Sequence, residues 1–268
     1  MADRPMIFSA PMVRALLEGR KTQTRRILKP QPPEWATFCQ QPKMLNVEHR
    51  WVPSGLWRWS EPEQSPRRPL RQWPVDADGD HYWLQPAWST GDRLWVRESI
   101  RAEDCHETWN HGVRYLADDA WAMVVSHNEV ESDAFGRWWL LNGYRSDDPD
   151  LTGGQKVPSI HMPRWSSRLT LIVKGVKVER LQDISEEDAI AEGVQAIAGV
   201  DGATAIAPTP ARHFGATPVD AFARLWEHIN GVGSWDTNPW VVAIGFSVFR
   251  SNIDDTPVPD RTEQGGGR

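Results

Sequence analysis

The stretch Leu17-Glu18-Gly19-Arg20-Lys21-Thr22-Gln23-Thr24-Arg25-Arg26 concentrates the side chains that do chemistry. From Arg14 to Lys29 there are six basic residues (Arg14, Arg20, Lys21, Arg25, Arg26 and Lys29) against one acid, Glu18. In a chain of net charge −6 this run is a local positive site suited to an anionic ligand. A structural role accounts for part of it, because Arg20 and Lys21 complement the C-terminal dipole of the helix before them. Arg25 and Arg26 lie beyond that reach and are read as ligand-binding, with Arg20 beside them.

Two further segments carry candidate contacts. Arg97-Glu98 follows an apolar run, where it either touches substrate or forms an ion pair, within itself or with Arg26. His161, Arg164 and Trp165 stand in Ser159-Ile160-His161-Met162-Pro163-Arg164-Trp165, a loop that offers a stacking indole and a phosphate or base contact, or else simply packs. Cys105-His106 and His111 do not have zinc spacing, and there is no CxxC or HExxH, so no metal is expected. No P-loop or dinucleotide fingerprint is present, and no cofactor is expected.

The elements that must position these groups follow from periodicity. Ser9-Ala10-Pro11, then Met12, Val13, Leu16 and Leu17, predict a short amphipathic helix stopped by Gly19. Residues 22–28 and 93–99 predict strands, the second after the turn Thr90-Gly91-Asp92. Arg168 to Glu179 alternates as a long strand whose inward parity switches at Gly175, as a bulge there would cause. Ser185 caps a short helix, with Asp188 able to reach back and Ile184 and Ala189 placed as a hydrophobic staple, and Gly193 closes it. Phe222, Leu225, Trp226 and Ile229 give the clearest helical register, opened at Thr217-Pro218. Trp240 to Phe249 is apolar on both parities, a buried strand. Residues 31–90, 101–157 and 194–216 read as insertions into a single domain over residues 1–250, and 251–268 as a disordered tail. Several strands with few helices favour an α+β chain with a closed or nearly closed small barrel.

Composition excludes other classes. The chain has 268 residues, 40% apolar and 25% charged, as ordinary soluble domains do. No apolar run reaches the roughly eighteen residues of a membrane span, and Met1-Ala2-Asp3-Arg4-Pro5 opens no signal peptide. Two cysteines, Cys39 and Cys105, make no disulfide framework, so a reducing cytoplasm is expected. Sixteen tryptophans against three tyrosines is an unusual choice, and Trp51, Trp57, Trp59 and Trp73 fall where no period places them in a core. Such indoles either stack on bases or pin down irregular loops.

Gly19-x-Lys21-x-x-Thr24-x-Arg26 resembles the signature of the ASCH superfamily, whose members have PUA-like folds, and its Thr form resembles the small bacterial N4-acetylcytidine amidohydrolases. Gly91-Asp92-x-Leu94-x-Val96, the segment from Ile184-Ser185-Glu186 to Ala191-Glu192, and Trp240 to Phe246 resemble that family's second strand, short helix and closing strand, in order. Across its length the chain is also similar to phage and prophage proteins in Pro11-Met12-Val13-Arg14, in residues 159–165 and in Gly233-Ser234-Trp235. The resemblance implies a PUA-like (ASCH) small β-barrel with flanking helices and long Trp-rich insertions, and a catalytic group of Lys21, Thr24 and Glu192. A partly desolvated Lys21 among arginines has a lowered pKa and acts as base towards the Thr24 hydroxyl or a water. Glu192 orients the second proton transfer, and its place in the last turn of a helix, against the dipole, suits a task other than stability. Lys21 and Thr24 have opposite strand parity, so Lys21 must belong to the turn.

Two functions from different classes remain open on this reading. One is an amidohydrolase of an N-acylated pyrimidine nucleoside or nucleotide. The other is a non-catalytic module of phage origin that binds single-stranded RNA or a modified base.

Overall fold

The structure is a computed structural model that describes residues 2–33, 38–60, 83–105, 110–124, 129–143, 153–200, 203–208 and 214–257. Trp73 and His106 lie outside these residues. In chain order the first elements are β1 (Asp3–Ile7), α1 (Ala10–Leu17), β2 (Gln23–Ile27), β3 (Phe38–Gln40), β4 (Lys43–Leu45), β5 (Trp51–Pro53), β6 (Trp57–Ser60) and β7 (Trp83–Leu84). Next come β8 (Arg93–Arg97), β9 (Ile100–Asp104), β10 (His111–Tyr115), β11 (Trp121–Met123), α2 (Glu129–Asn142), β12 (Gly153–Val157) and β13 (Thr170–Arg180). The chain continues through α3 (Glu186–Ala191), β14 (Gln195–Val200), β15 (Ala203–Ile206), β16 (Phe214–Gly215), α4 (Pro218–Asn230) and β17 (Trp240–Phe249).

A five-stranded sheet, ordered β1-β8-β13-β17-β2, is the frame, with β1 and β8 parallel and the other pairs antiparallel. Between β13 and the edge strand β2 lies β17, buried from Trp240 to Ile244 as its two-sided apolar sequence requires. The register of β13 against β17 shifts between Val173 and Gly175, the bulge that its parity switch predicts. The edge strands β1 and β2 do not pair, so the sheet does not close into a barrel. One side chain crosses that gap, where Arg26 donates to the carbonyl of Ile7 at 2.9 Å. The fold is thus α+β with several sheets, none of them closed among the described residues.

α3 and α4 open on the residues their sequences predict. Ser185 accepts from the amide of Asp188, with Ile184 and Ala189 buried beneath, and Thr217 and Asp220 form a reciprocal capping box on α4. Asp188, however, does not return to the α3 N-terminus: its carboxylate meets Arg25 and Gln23. α4 buries Ala221, Phe222, Leu225 and Trp226, the apolar stripe of a 3.6-residue period.

The segments read as insertions hold more structure than expected. Residues 101–157 supply a second sheet, β11-β10-β9-β12, with its own core of Ile100, Val113, Tyr115, Val157 and Met162. Residues 194–216 form the β14-β15-β16 sheet beside α4. Two small sheets, β3-β6-β7 and β4-β5, lie within residues 31–90. The expected tail is ordered at its start, because Ile253 is fully buried and Asn252 donates to the carbonyls of Arg164, Trp165 and Ser167. Those three bonds and one apolar anchor outweigh the polar composition around them. Residues 258–268 lie outside the description. Among the described residues no helix is long and apolar enough to cross a membrane.

Candidate active site

Two glycines with positive φ, Gly19 at +74° and Gly193 at +100°, end α1 and α3 abruptly. Between those ends the chain runs through Lys21 and Thr22, whose amides donate to Ala15 (3.0 Å) and Ala191 (2.8 Å). Lys21 and Glu192 face each other there in an isolated antiparallel bridge. Lys21 therefore precedes β2, which removes the parity conflict with Thr24. Thr24 itself is within β2, opposite Ile244.

Lys21 is 0% exposed, and its Nζ donates to Glu192 Oε2 at 2.7 Å and to the Glu192 carbonyl at 2.9 Å. The other carboxylate oxygen, Oε1, accepts from Arg25 at 3.3 Å. Burial lowers the pKa of the Lys21 amine, Glu192 opposes that shift, and Arg26 and Arg25 add to it. The result is an amine that yields its proton below the ordinary lysine range while touching a carboxylate.

Arg25 organises the acids. Its Nη2 meets Glu179 Oε1 at 2.7 Å and Asp188 Oδ2 at 2.6 Å, and its Nη1 reaches Gln23 Oε1 at 3.1 Å. Lys177 takes the free oxygen of Glu179 at 2.5 Å. Burial alone would lower the pKa of the guanidinium, but Glu192, Glu179 and Asp188 together raise it. The basic run is therefore not a free positive patch. Acids from β13 and the end of α3, more than 150 positions away along the chain, pair with Arg25 and Lys21.

Thr24, Arg26 and Glu192 line one side of a cleft, and Phe222, Trp226 and Ile229 of α4 line the other. Its cavity volume is about 60 Å³, against roughly 300–1,000 Å³ for a small-molecule site. A cavity of that size does not hold a nucleoside-sized molecule unless lining side chains move.

Of the residues that the sequence marks out, Thr24, Arg25, Arg26 and Glu192 line the cleft, while Lys21 is not among its lining residues and meets it through Glu192. Arg20 turns outward to Glu18 and to the Gly193 carbonyl. Arg97 is near through its backbone, paired with Ile7, but its guanidinium bonds the Ile160 carbonyl and lies over Trp95. Glu98 pairs with Arg168, not with Arg26. Arg164 is held between Asp3 and Asp254, and Trp165 packs edge-on against Phe135 and Trp138. His161 is exposed in a single turn of 3-10 helix. None of these lines the cleft. Glu98, through Arg168 and Asp118, and Trp165, through Phe135 and Trp138, instead join the second sheet's region to the first.

Glu179, Phe222 and Trp226 were not marked as site residues. A lone acid in the apolar strand Thr170–Arg180 is the one sequence signal for Glu179, and the α4 stripe reads as ordinary core. Among the described residues no group of three or more His, Cys, Asp or Glu side chains is arranged to hold a metal ion. Compared with protein-family models, curated proteins and solved structures, the chain matches none.

Proposed function

We propose that this chain is an amidohydrolase, on a PUA-like scaffold of the ASCH type, acting on an N-acylated pyrimidine nucleoside or nucleotide such as N4-acetylcytidine, with the cytoplasm as its compartment. One observation carries the reading: a fully buried lysine of lowered pKa contacts Glu192 at 2.7 Å, and Glu192 shares a cleft with the Thr24 side of β2. In the proposed reaction an oxygen of Thr24 or of a water bonds to the acyl carbonyl carbon, and its proton passes to Lys21 Nζ. The C–N bond then breaks as Glu192 relays that proton to the departing amine. If Thr24 has been acylated, a water repeats the attack and frees the carboxylic acid. Arg26, on the same wall, offers charge to the carbonyl oxygen as it becomes anionic.

The same contact supports a second reading. With Nζ donating to both a carboxylate and a carbonyl, Lys21 is also placed as a buried ammonium that merely holds α3 to β2. The protein would then bind a modified base or single-stranded RNA without cleaving it. Incubating the protein with N4-acetylcytidine and separating the products decides between them. Release of cytidine and acetate in equal amounts supports hydrolysis. Binding without release leaves the non-catalytic reading.

A further inference from the structure

Trp226 is the indole that α4 contributes to the cleft, and it is 5% exposed. Its Nε1–H has no hydrogen-bond acceptor among the described residues. Buried indole N–H groups usually find a partner, and one left without a partner is costly enough to need an explanation. Trp138 and Trp240 have the same deficit but do not line the cleft. The acceptors nearest in function are already taken: Glu192 by Lys21 and Arg25, Asp188 by Arg25, and the Trp226 carbonyl by the Asn230 amide at 3.1 Å. Around the indole the lining is aromatic, with the Phe222 ring 6.2 Å away and inclined 46° to it, whereas Thr24, Arg25, Arg26 and Glu192 bring polar and charged groups to the same cleft.

A ligand that suits both walls has a planar ring with an amide at one side and a carbonyl oxygen at another. We infer that the Trp226 indole donates to the ring carbonyl of a pyrimidine whose acyl amide faces Glu192 and Arg26, making Trp226 the residue that selects ring carbonyls. This rests on the proposed reading for the position of the amide, but it concerns binding and stands or falls apart from hydrolysis. A site with a desolvated donor rejects rings that lack the matching acceptor, because the donor is then left unpaired.

The test compares N4-acetylcytosine with N-(pyrimidin-4-yl)acetamide, which lacks the ring carbonyl. In wild-type protein labelled with 15N-tryptophan, sixteen indole resonances report on the sixteen tryptophans, and that of Trp226 is assigned by triple resonance. N4-acetylcytosine is expected to move the Trp226 resonance downfield, and the acetamide is expected to leave it in place. Trp226→Phe, which keeps an aromatic wall, is expected to weaken N4-acetylcytosine about three- to tenfold, the size of one neutral hydrogen bond, without changing the affinity of the acetamide. A Trp226 resonance that N4-acetylcytosine does not move, whether or not the compound binds, overturns the inference, as does equal weakening of both compounds. A shifted resonance without turnover of N4-acetylcytidine removes the hydrolase reading and leaves this one. Turnover with a still resonance does the reverse.

Discussion

At the scale of the residue, the chemistry rests on how Lys21 holds its proton. A cation whose folded pKa is lowered binds protons less readily in the native state than in the unfolded one. Stability therefore rises with pH from the folded pKa towards the ordinary lysine value of about 10.4. Activity follows the same sign if the neutral amine is the base. Hydrolysis of N4-acetylcytidine should climb with pH and level off below that ordinary value. Lys21→Met keeps the stem's volume and leaves Glu192 paired with Arg25, so the variant should fold. Its kcat/KM should fall by about 10²–10⁴, and the ascending limb should vanish from the pH–rate profile. Lys21→Arg should fail as well, since a guanidinium does not give up its proton. An unchanged limb in Lys21→Met would assign the base to another group.

At the scale of the element, the cleft depends on α4 being held in place, and part of that hold is the close approach of β16. A Cβ at Gly215 would stand 2.3 Å from the backbone nitrogen of Ala221, so only glycine lets the strand lie this close to the helix. Gly215→Ala is expected to cost about 1–3 kcal/mol, read as a lower urea midpoint, and to weaken ligand binding by shifting α4. Gly136→Ala is a fitting control. Its Cβ would meet nothing within 4 Å in α2, and helix propensity predicts a gain of up to about 1 kcal/mol. The sequence made α1, α3, α4, β13 and β17 legible because each carries its own period or cap. It hid the β14-β15-β16 sheet, whose strands are short and Ala- and Gly-rich, with β15 and β16 packed on α4. It also showed Lys21, Thr24, Glu192 and Arg26 as a motif but not Glu179 beside Arg25, since that bond spans 154 positions and only the sheet register makes it.

At the scale of the whole molecule, the tryptophans and one buried ion pair decide how the two cores share a fold. Trp59, fully buried, meets Trp240 of the central sheet edge-on at 5.7 Å, and Trp165 with Trp138 and Phe135 covers the second core. These indoles fasten the added segments to the frame and are not free to stack on a ligand. The chain passes from β8 of the central sheet to β9 of the second through Glu98, which is 1% exposed. Arg168 grips both of its oxygens at 2.8 and 2.9 Å, reaches Asp118 at 2.9 Å and lies 4.0 Å over the Tyr115 ring. One guanidinium thus ties the start of β13 to the strand and turn of the second sheet. Glu98→Ala removes two charge-assisted bonds while Arg168 keeps Asp118, so it should cost about 1.5–3 kcal/mol. Because the lost contact is the joint itself, urea unfolding should also cease to be a single transition, with far-UV circular dichroism and tryptophan fluorescence no longer coincident. If the pair specifies the joint rather than supplying its strength, replacing both residues by methionine should recover most of the loss. A double variant no more stable than Glu98→Ala would show instead that the ion pair itself holds the two sheets together.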